Sequence, residues 1–123
     1  MDLRTDIRDG FAVIALSGRL TATGAPLLRK AVNDLVAGGD SRIVIDMTDL
    51  QFVDSSGLGA LVGGLKSARV AGGDLRIAAV PEAVRTVLHL TNLDRVLLDH
   101  PTPETAFDLS LIHISEPTRQ AEI

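Results

Sequence analysis

The chain contains no cysteine, no tryptophan and no tyrosine, and phenylalanine occurs only three times in 123 residues. Without cysteine it can form neither a disulfide framework nor a thiolate metal site. The scarcity of aromatic rings argues against the stacking platforms that bind single-stranded nucleic acids. No apolar run approaches the roughly 20 residues that a membrane-spanning helix needs. We therefore expect neither a disulfide-rich protein nor a membrane protein.

The chain also has fewer basic than acidic residues. The sequence has 12 basic and 16 acidic residues and a net charge of −4, and the basic residues are scattered along the chain. A direct nucleic-acid partner is not expected, because no basic stripe could follow a phosphate backbone. The first ten residues are too acidic and too polar for a signal peptide, which favours a cytoplasmic protein. The length and the 46% hydrophobic content predict one folded domain.

Strand and helix signals alternate along most of the chain. Asp9-Gly10 separates two strand patterns, which predicts an N-terminal hairpin. Helical spacing of apolar residues alternates with short apolar runs that are typical of buried strands. Asn92 is expected to close a helix in the left-handed conformation. The predicted strands are 3–7, 11–16, 42–46, 75–80 and 96–98, and the predicted helices are 25–36, 55 to the Gly72-Gly73 stop, 81–90, and one from Thr102-Pro103-Glu104 onward. The order predicts an α/β fold with a mostly parallel, mixed sheet of about five strands and four helices.

Residues 46–59, DMTDLQFVDSSGLG, carry the side chains best suited to chemistry. They join the C-terminal end of a buried strand to a helix, and ligands collect at that edge of an α/β sheet. Ser55 is placed to cap the helix or to lie one step before it. Free N–H groups and a partial positive charge make a helix N-terminus favourable for a phosphate. Ser55 is therefore either a capping residue or a phosphorylation site, and the residues alone leave both open.

The predicted second helix is rich in glycine, namely Gly57, Gly59, Gly63 and Gly64. Each glycine costs a helix roughly 1 kcal/mol relative to alanine, so their presence needs a reason. One face, separate from the apolar core face, is formed by Ser56, Gly59, Ala60 and Gly63. That flat face suits the close approach of a partner, with Ser55 at its edge. The alternative is that some of the glycines pack against another element of the same chain.

Residues 46–61, DMTDLQFVDSSGLGAL, closely resemble the signature of STAS domains in the anti-sigma factor antagonist family. The resemblance extends from residue 1 to about 109, including SGRL at 17–20 and LHLTNLDRV at 88–96. It implies a STAS fold for residues 1–109. It also implies a regulatory protein that is not an enzyme and uses no cofactor.

The family's mechanism gives each residue of the motif an expected role. Members bind an anti-sigma factor that is also a serine kinase of the histidine-kinase-like ATPase fold, and binding releases a sigma factor for transcription. The resemblance implies that the kinase phosphorylates Ser55, that a phosphatase resets it, and that the free protein is a monomer. Asp54 would orient the Ser55 hydroxyl. Partner contact is expected from Asp54, Ser56, Gly57, Gly59, Ala60 and Gly63.

Thr21 departs from the family pattern, because many relatives carry an acidic residue at that position, close to the phosphorylation site in the family fold. Either kinase recognition is altered here, or this copy belongs to a branch that is not phosphorylated. The alternative function within the family is a STAS module of a larger assembly, such as a lipid-transport complex or a stressosome.

Functions outside the family find weaker support in the sequence. As a nucleophile, Ser55 would need a base within hydrogen-bond reach. His89 is expected in an apolar helical run and His100 in a loop, both away from the strand end that holds Ser55. The glycine spacing does not match a dinucleotide fingerprint, and no G-K-S/T loop is present. The aspartates of residues 46–54 have no His or Cys beside them and would at best hold a hydrated Mg²⁺, so no metal site is expected.

The last fourteen residues, 110–123, are predicted to be foreign to the domain. One choice of codons for residues 109–119, LSLIHISEPTR, reproduces a transposon-end adapter used in sequencing libraries. Such a tail indicates a gene-assembly artefact, which is excluded from fold reasoning. The alternative is a native helix extension that ends at Pro117.

A chain ending at Leu109 should unfold cooperatively and melt within a few degrees of the full chain, since no predicted core element lies beyond that residue. Thermal unfolding followed by circular dichroism measures this. A shortened chain that no longer unfolds cooperatively would show that the tail contributes to packing.

Overall fold

The computed structural model describes residues 1–107, so the predicted foreign tail at 110–123 lies outside the described residues. Within this range the regular elements are, in chain order, β1 (Asp2–Arg8), β2 (Phe11–Leu20), α1 (Ala25–Ala37), β3 (Arg42–Val53), α2 (Ser55–Val70), β4 (Asp74–Ala78), α3 (Glu82–Leu90) and β5 (Asp99–His100). Two 3-10 turns, Leu93–Arg95 and Pro103–Thr105, flank β5.

The five strands form one sheet in the order β1-β2-β3-β4-β5. The first two are antiparallel and the others are parallel. Asp9 and Gly10 close the hairpin between β1 and β2, and Gly10 has a φ of +91°, a conformation that glycine adopts without strain. The predicted mixed α/β sheet with an N-terminal hairpin is confirmed.

All three helices pack on the same face of the sheet. The strand order runs across the sheet in one direction, so right-handed crossovers bring each helix to the same side. The core between helices and sheet contains Ile14, Leu28, Val32, Ile43, Ile45, Leu61, Ile77 and Leu88. The opposite face carries a smaller cluster of Val13, Val44, Ala78 and Ala106, with Phe11 and Phe107 packed beside it. Because β3 is covered on both faces, Ile43–Ile45 form an uninterrupted apolar run.

β3 continues far beyond its predicted end at Asp46. That residue is the last to pair with β4, but β2 stays beside β3 until the final pair, Leu20 with Val53. The result is a two-stranded projection of residues 17–20 and 47–53, here called the β2–β3 ribbon. Two register shifts insert extra residues into β3, so every third residue is buried, at Met47, Leu50 and Val53. Bulges interrupt the normal alternation of inward and outward side chains along a strand, which is why the sequence pattern predicted no strand beyond residue 46.

The prediction of a final strand at 96–98 is wrong by a few residues. Asn92 adopts the predicted left-handed conformation, with a φ of 61°, and a 3-10 turn follows it. The amides of Val96 and Leu97 both donate to the Leu93 carbonyl, so these residues belong to that turn. β5 therefore begins only at Asp99.

The prediction of a fourth helix is also wrong for the described residues. The 3-10 turn Pro103–Thr105 takes its place. Its bonds run from the Thr105 amide to the Thr102 carbonyl and from the Ala106 amide to the Pro103 carbonyl, which is i to i+3 spacing. No α-helical turn is completed before residue 107.

His100, in β5, has an ionisation that is linked to folding. Its Nε2 atom is buried, and no group within residues 1–107 bonds to it. Burial lowers the pKa of His100, and the positive charge of Arg76 lowers it further. Below the ordinary histidine pKa of about 6.5 the unfolded chain therefore binds more protons than the folded one. Stability from this group is present above that pH and is lost as the pH falls.

The free energy of unfolding should accordingly fall as the pH is lowered from about 7.5 to about 5.5. The variant His100→Gln should show a shallower decline, because its side chain does not titrate. Denaturant unfolding at several pH values measures both slopes. Equal slopes would mean that the burial of His100 has no part in the pH dependence.

Candidate functional site

Asp54 connects β3 to α2 and caps the helix. Its backbone is extended (φ −106°, ψ −173°), and its carboxylate accepts a hydrogen bond from the Gly57 amide at 2.9 Å. Its carbonyl accepts from the Leu58 amide at 2.9 Å, and its own amide donates to the Leu20 carbonyl at 3.1 Å. Asp54 therefore fastens the start of α2 to the tip of the β2–β3 ribbon. An N-cap of this kind stabilises a helix by roughly 1 kcal/mol.

Gly57 lies where α2 comes closest to the ribbon. A Cβ atom at this position would lie 2.5 Å from the Leu20 carbonyl oxygen and 2.8 Å from Cγ2 of Val53. Both distances are far shorter than normal contact, so only glycine fits here. Gly57 is buried and has a packing role, although the sequence had assigned it to partner contact. The prediction that Ala60 lies on the accessible face is wrong, because Ala60 is 0% exposed and belongs to the core.

Ser55 is the first residue of α2 and not its cap, since Asp54 occupies that position. The Ser55 side chain is exposed, and within residues 1–107 its hydroxyl forms no hydrogen bond. The predicted orientation of this hydroxyl by Asp54 is not found within residues 1–107, where the Asp54 carboxylate accepts from the Gly57 amide and not from Ser55. Ser55 is thus accessible and has no part in holding the helix start together.

The glycines of α2 fall into two groups, so both alternatives raised by the sequence occur. Gly57 and Gly64 face inward, and a Cβ at Gly64 would lie 3.0 Å from Cδ1 of Leu75. Gly59 is exposed and Gly63 is partly exposed. A Cβ at Gly63 would meet nothing within 4 Å.

The accessible part of the predicted contact face runs along α2 from its first turn. It consists of Ser55, Ser56, Gly59 and Gly63, and we call it the α2 strip. A Cβ at Gly59 would have one neighbour within 4 Å, a guanidinium nitrogen of Arg29 at 3.6 Å. The strip carries no charged side chain of its own, and a second backbone can approach it closely.

Phe52, which lies on the ribbon three residues before Ser55, was not singled out by the sequence analysis. Arg19 is its partner across β2 and β3, and the guanidinium carbon lies 4.4 Å from the ring centroid. Phe52 is 38% exposed. An exposed aromatic ring paired with arginine resembles the anchor residues of protein interfaces. The register shifts that turn Phe52 outward leave no recognisable pattern in the sequence, so sequence reasoning missed it.

Thr21 begins the loop between β2 and α1. Its carbonyl accepts hydrogen bonds from the amides of Gly24 and Ala25, at 3.0 and 2.8 Å. Since the preceding residue, Leu20, bonds to Asp54, the loop starts beside the Ser55 site. The side chain that this chain offers at that position is therefore a hydroxyl and not a carboxylate.

The histidines lie in other parts of the fold. His100 pairs with Ala78, which in turn pairs with Asp46, whereas Ser55 follows the far end of the ribbon. His89 is exposed in the last turn of α3, where Nδ1 lies 3.1 Å from a carboxylate oxygen of Asp94. Across residues 1–107 no group of three or more histidine or acidic side chains could hold a metal ion. No helix in the same range is long and apolar enough to cross a membrane.

The fold and the motif together match a known family. Residues 2–106 match the STAS domain family, and the chain belongs to it. The crystal structure of TM1081 from Thermotoga maritima superposes with a TM-score of 0.80 at 29% identity, covering 90% of this chain and 94% of that one. An anti-sigma factor antagonist from Mycobacterium paratuberculosis superposes with a TM-score of 0.77 at 28% identity, covering 91% and 93%. The anti-sigma-B factor antagonist of Bacillus subtilis is 27% identical over 79% of this chain and 90% of its own.

The two groups of glycines should respond to substitution with opposite signs. Gly57→Ala should lower the free energy of unfolding by about 1–3 kcal/mol, because the methyl group collides with the Leu20 carbonyl. Gly63→Ala, the matched control in the same helix, should raise it by roughly 0.5–1 kcal/mol. Urea unfolding measures both. A Gly57→Ala variant as stable as the wild type would contradict the close approach of α2 to the ribbon.

Proposed function

We propose that this protein is an anti-sigma factor antagonist that binds its anti-sigma factor through the α2 strip and is switched off by phosphorylation of Ser55. Family membership and the names of its relatives support the first part of the proposal. One observation carries the second part. Ser55 is exposed at the first position of α2, while Asp54 alone performs the capping that a serine at this place could have performed.

The separation of these two roles suits a reversible switch. A phosphate on Ser55 displaces no hydrogen bond of the fold, so the protein can be modified without unfolding the start of α2. The phosphate adds about 1.5 to 2 negative charges at neutral pH. It would stand beside the Asp54 carboxylate, with Asp49 in the neighbouring ribbon and the Arg29 guanidinium beside Gly59. A partner that covers the unmodified strip would then have to desolvate a concentrated negative charge, and the complex would weaken.

The finer parts of the mechanism follow from the family resemblance. The anti-sigma factor would itself be the serine kinase, with a histidine-kinase-like ATPase fold, and a phosphatase would restore Ser55. Binding of the unmodified protein would release a sigma factor. In this scheme the chain acts by binding and is a substrate of enzymes, not an enzyme itself. Thr21 lies beside the site and would shape how the kinase recognises Ser55.

Ser55→Ala should bind the anti-sigma factor persistently in the presence of ATP, whereas Ser55→Asp should weaken binding by at least about tenfold, or 1.4 kcal/mol. Aspartate carries only one charge, so a larger loss is expected from the phosphate itself. Calorimetric titration against the cognate anti-sigma factor measures the affinities. Mass spectrometry after incubation with that kinase and ATP should locate the phosphate on Ser55. Ser56→Ala is the matched control and should still be phosphorylated.

A phosphate found on Ser56 would move the switch by one residue and contradict the role given to Ser55. Gly63→Leu gives an independent check of the binding surface in the same titration. The leucine side chain would stand in open space on the α2 strip, so it should block association without lowering stability. Unchanged affinity in Gly63→Leu would show that the partner binds elsewhere.

A further inference from the structure

β1 lies at the edge of the sheet and is paired, within the described residues, only with β2. It is seven residues long, and five of its residues are exposed. The free edge of a strand offers unpaired N–H and C=O groups to any second strand. Natural edge strands are commonly short, interrupted or charged for this reason. β1 is neither short nor interrupted, but it carries charges of both signs.

The sequence of β1, DLRTDIR, is complementary to itself in the antiparallel direction. Pairing two copies about Thr5 brings residues of opposite charge or of like hydrophobicity face to face, namely Asp2 with Arg8, Leu3 with Ile7 and Arg4 with Asp6 of the second copy. By symmetry each of these pairs occurs twice. Directly opposed pairs of this kind stabilise a sheet.

Neighbouring registers do not share this property. A shift of two residues in one direction places Arg4 opposite Arg4 of the second copy, and a shift in the other direction places Asp6 opposite Asp6. Directly opposed like charges destabilise a sheet. A shift by one residue would move apolar side chains to the opposite face. The arrangement centred on Thr5 is thus the register that the charges favour.

The backbone groups of β1 are compatible with this register and exclude registers shifted by one residue. A loop of two residues makes Arg8 and Phe11 a hydrogen-bonded pair of the hairpin, and such pairs alternate along an antiparallel ladder. Alternation leaves the N–H and C=O groups of Leu3, Thr5 and Ile7 directed away from β2. Pairing about Thr5 matches these three residues with one another, so outward groups meet outward groups.

An apolar groove of about 580 Å³ runs beside the same edge, between β1 and α1. It is lined by Leu3, Ile7 and Leu27 among others, and Ile7 is 61% and Leu27 52% exposed. Pairing of β1 with a second copy would bring Leu3 of one chain against Ile7 of the other. Exposed apolar surface next to the edge would therefore be covered at the same time as the backbone is paired.

We propose that two copies of this protein associate through antiparallel pairing of their β1 strands about Thr5, forming a dimer with two-fold symmetry. This replaces the sequence-based expectation of a free monomer and does not depend on the proposed function of Ser55. The contact is small, so the dimer dissociates at low concentration. It is weakened by salt, because its charge pairs lie at the surface.

The pair of Arg4 with Asp6 is the best point at which to test the dimer. Arg8 already bonds to Asp6 and Glu104 of its own chain, whereas no ion pair engages Arg4 within residues 1–107. Reversing the charge of Arg4 or Asp6 alone creates two like-charge pairs in the dimer. Reversing both restores the opposite-charge pairs between the two chains, although D6R removes the Asp6–Arg8 pair within each chain.

Sedimentation velocity of the full chain, from micromolar to millimolar concentration at low salt, measures the association. The wild type and the double variant R4D/D6R should both shift from the monomer to the dimer value. R4D alone and D6R alone should remain monomeric, but an equimolar mixture of the two should form a heterodimer, since each then meets its complement. Circular dichroism of each variant verifies that the fold is retained.

A wild type that stays monomeric throughout the concentration range would overturn the proposal. Single variants that dimerise like the wild type would assign the dimer to another surface. A mixture of R4D and D6R that fails to associate would rule out the register about Thr5. Binding of the anti-sigma factor plays no part in these measurements, so their outcome is independent of the Ser55 switch.

Discussion

The site depends on the position of the start of α2, which is held by contacts to the carbonyl oxygen of Leu20. This oxygen accepts the Asp54 amide and lies so close to Gly57 that no side chain can stand between them. These contacts determine where α2 begins, at the tip of the β2–β3 ribbon, and the direction in which the helix then runs. The exposed position of Ser55 and the accessible line along α2 follow from this placement. A shift of the helix start would change which residues of α2 face outward.

The alternation of apolar runs was sufficient to predict the order of the strands, the hairpin and the three α-helices, because burial between layers imposes regular periods. The start of α2 near Ser55 and the left-handed Asn92 followed from local backbone chemistry. Other features depend on contacts between distant segments. The length of β3 is set by β2 beside it, and its bulges erase the alternation that would have revealed a strand.

The site shows the same division between local and distant causes. Ser55 could be singled out as a candidate because its motif is local and specific. The sequence could not tell that Asp54 alone caps α2, or that Gly57 faces inward and Gly59 outward, since that depends on where the helix meets the ribbon. Ala60 was wrongly predicted to lie on the accessible face, because the buried side of α2 includes more positions than its large apolar residues mark. Phe52 was missed because the register of β3 turns it outward.

The hydroxyl of Ser55 takes no part in holding the described fold together, and this bears on how such a protein can change over generations. Under the proposed function, a single substitution there would remove or restore the switch with little effect on folding, because Asp54 continues to cap α2. Regulation would then be gained or lost in a lineage without a compensating mutation elsewhere in the domain. Gly57 cannot be substituted in the same way, because any side chain at this position would collide with the Leu20 carbonyl unless β2 moved.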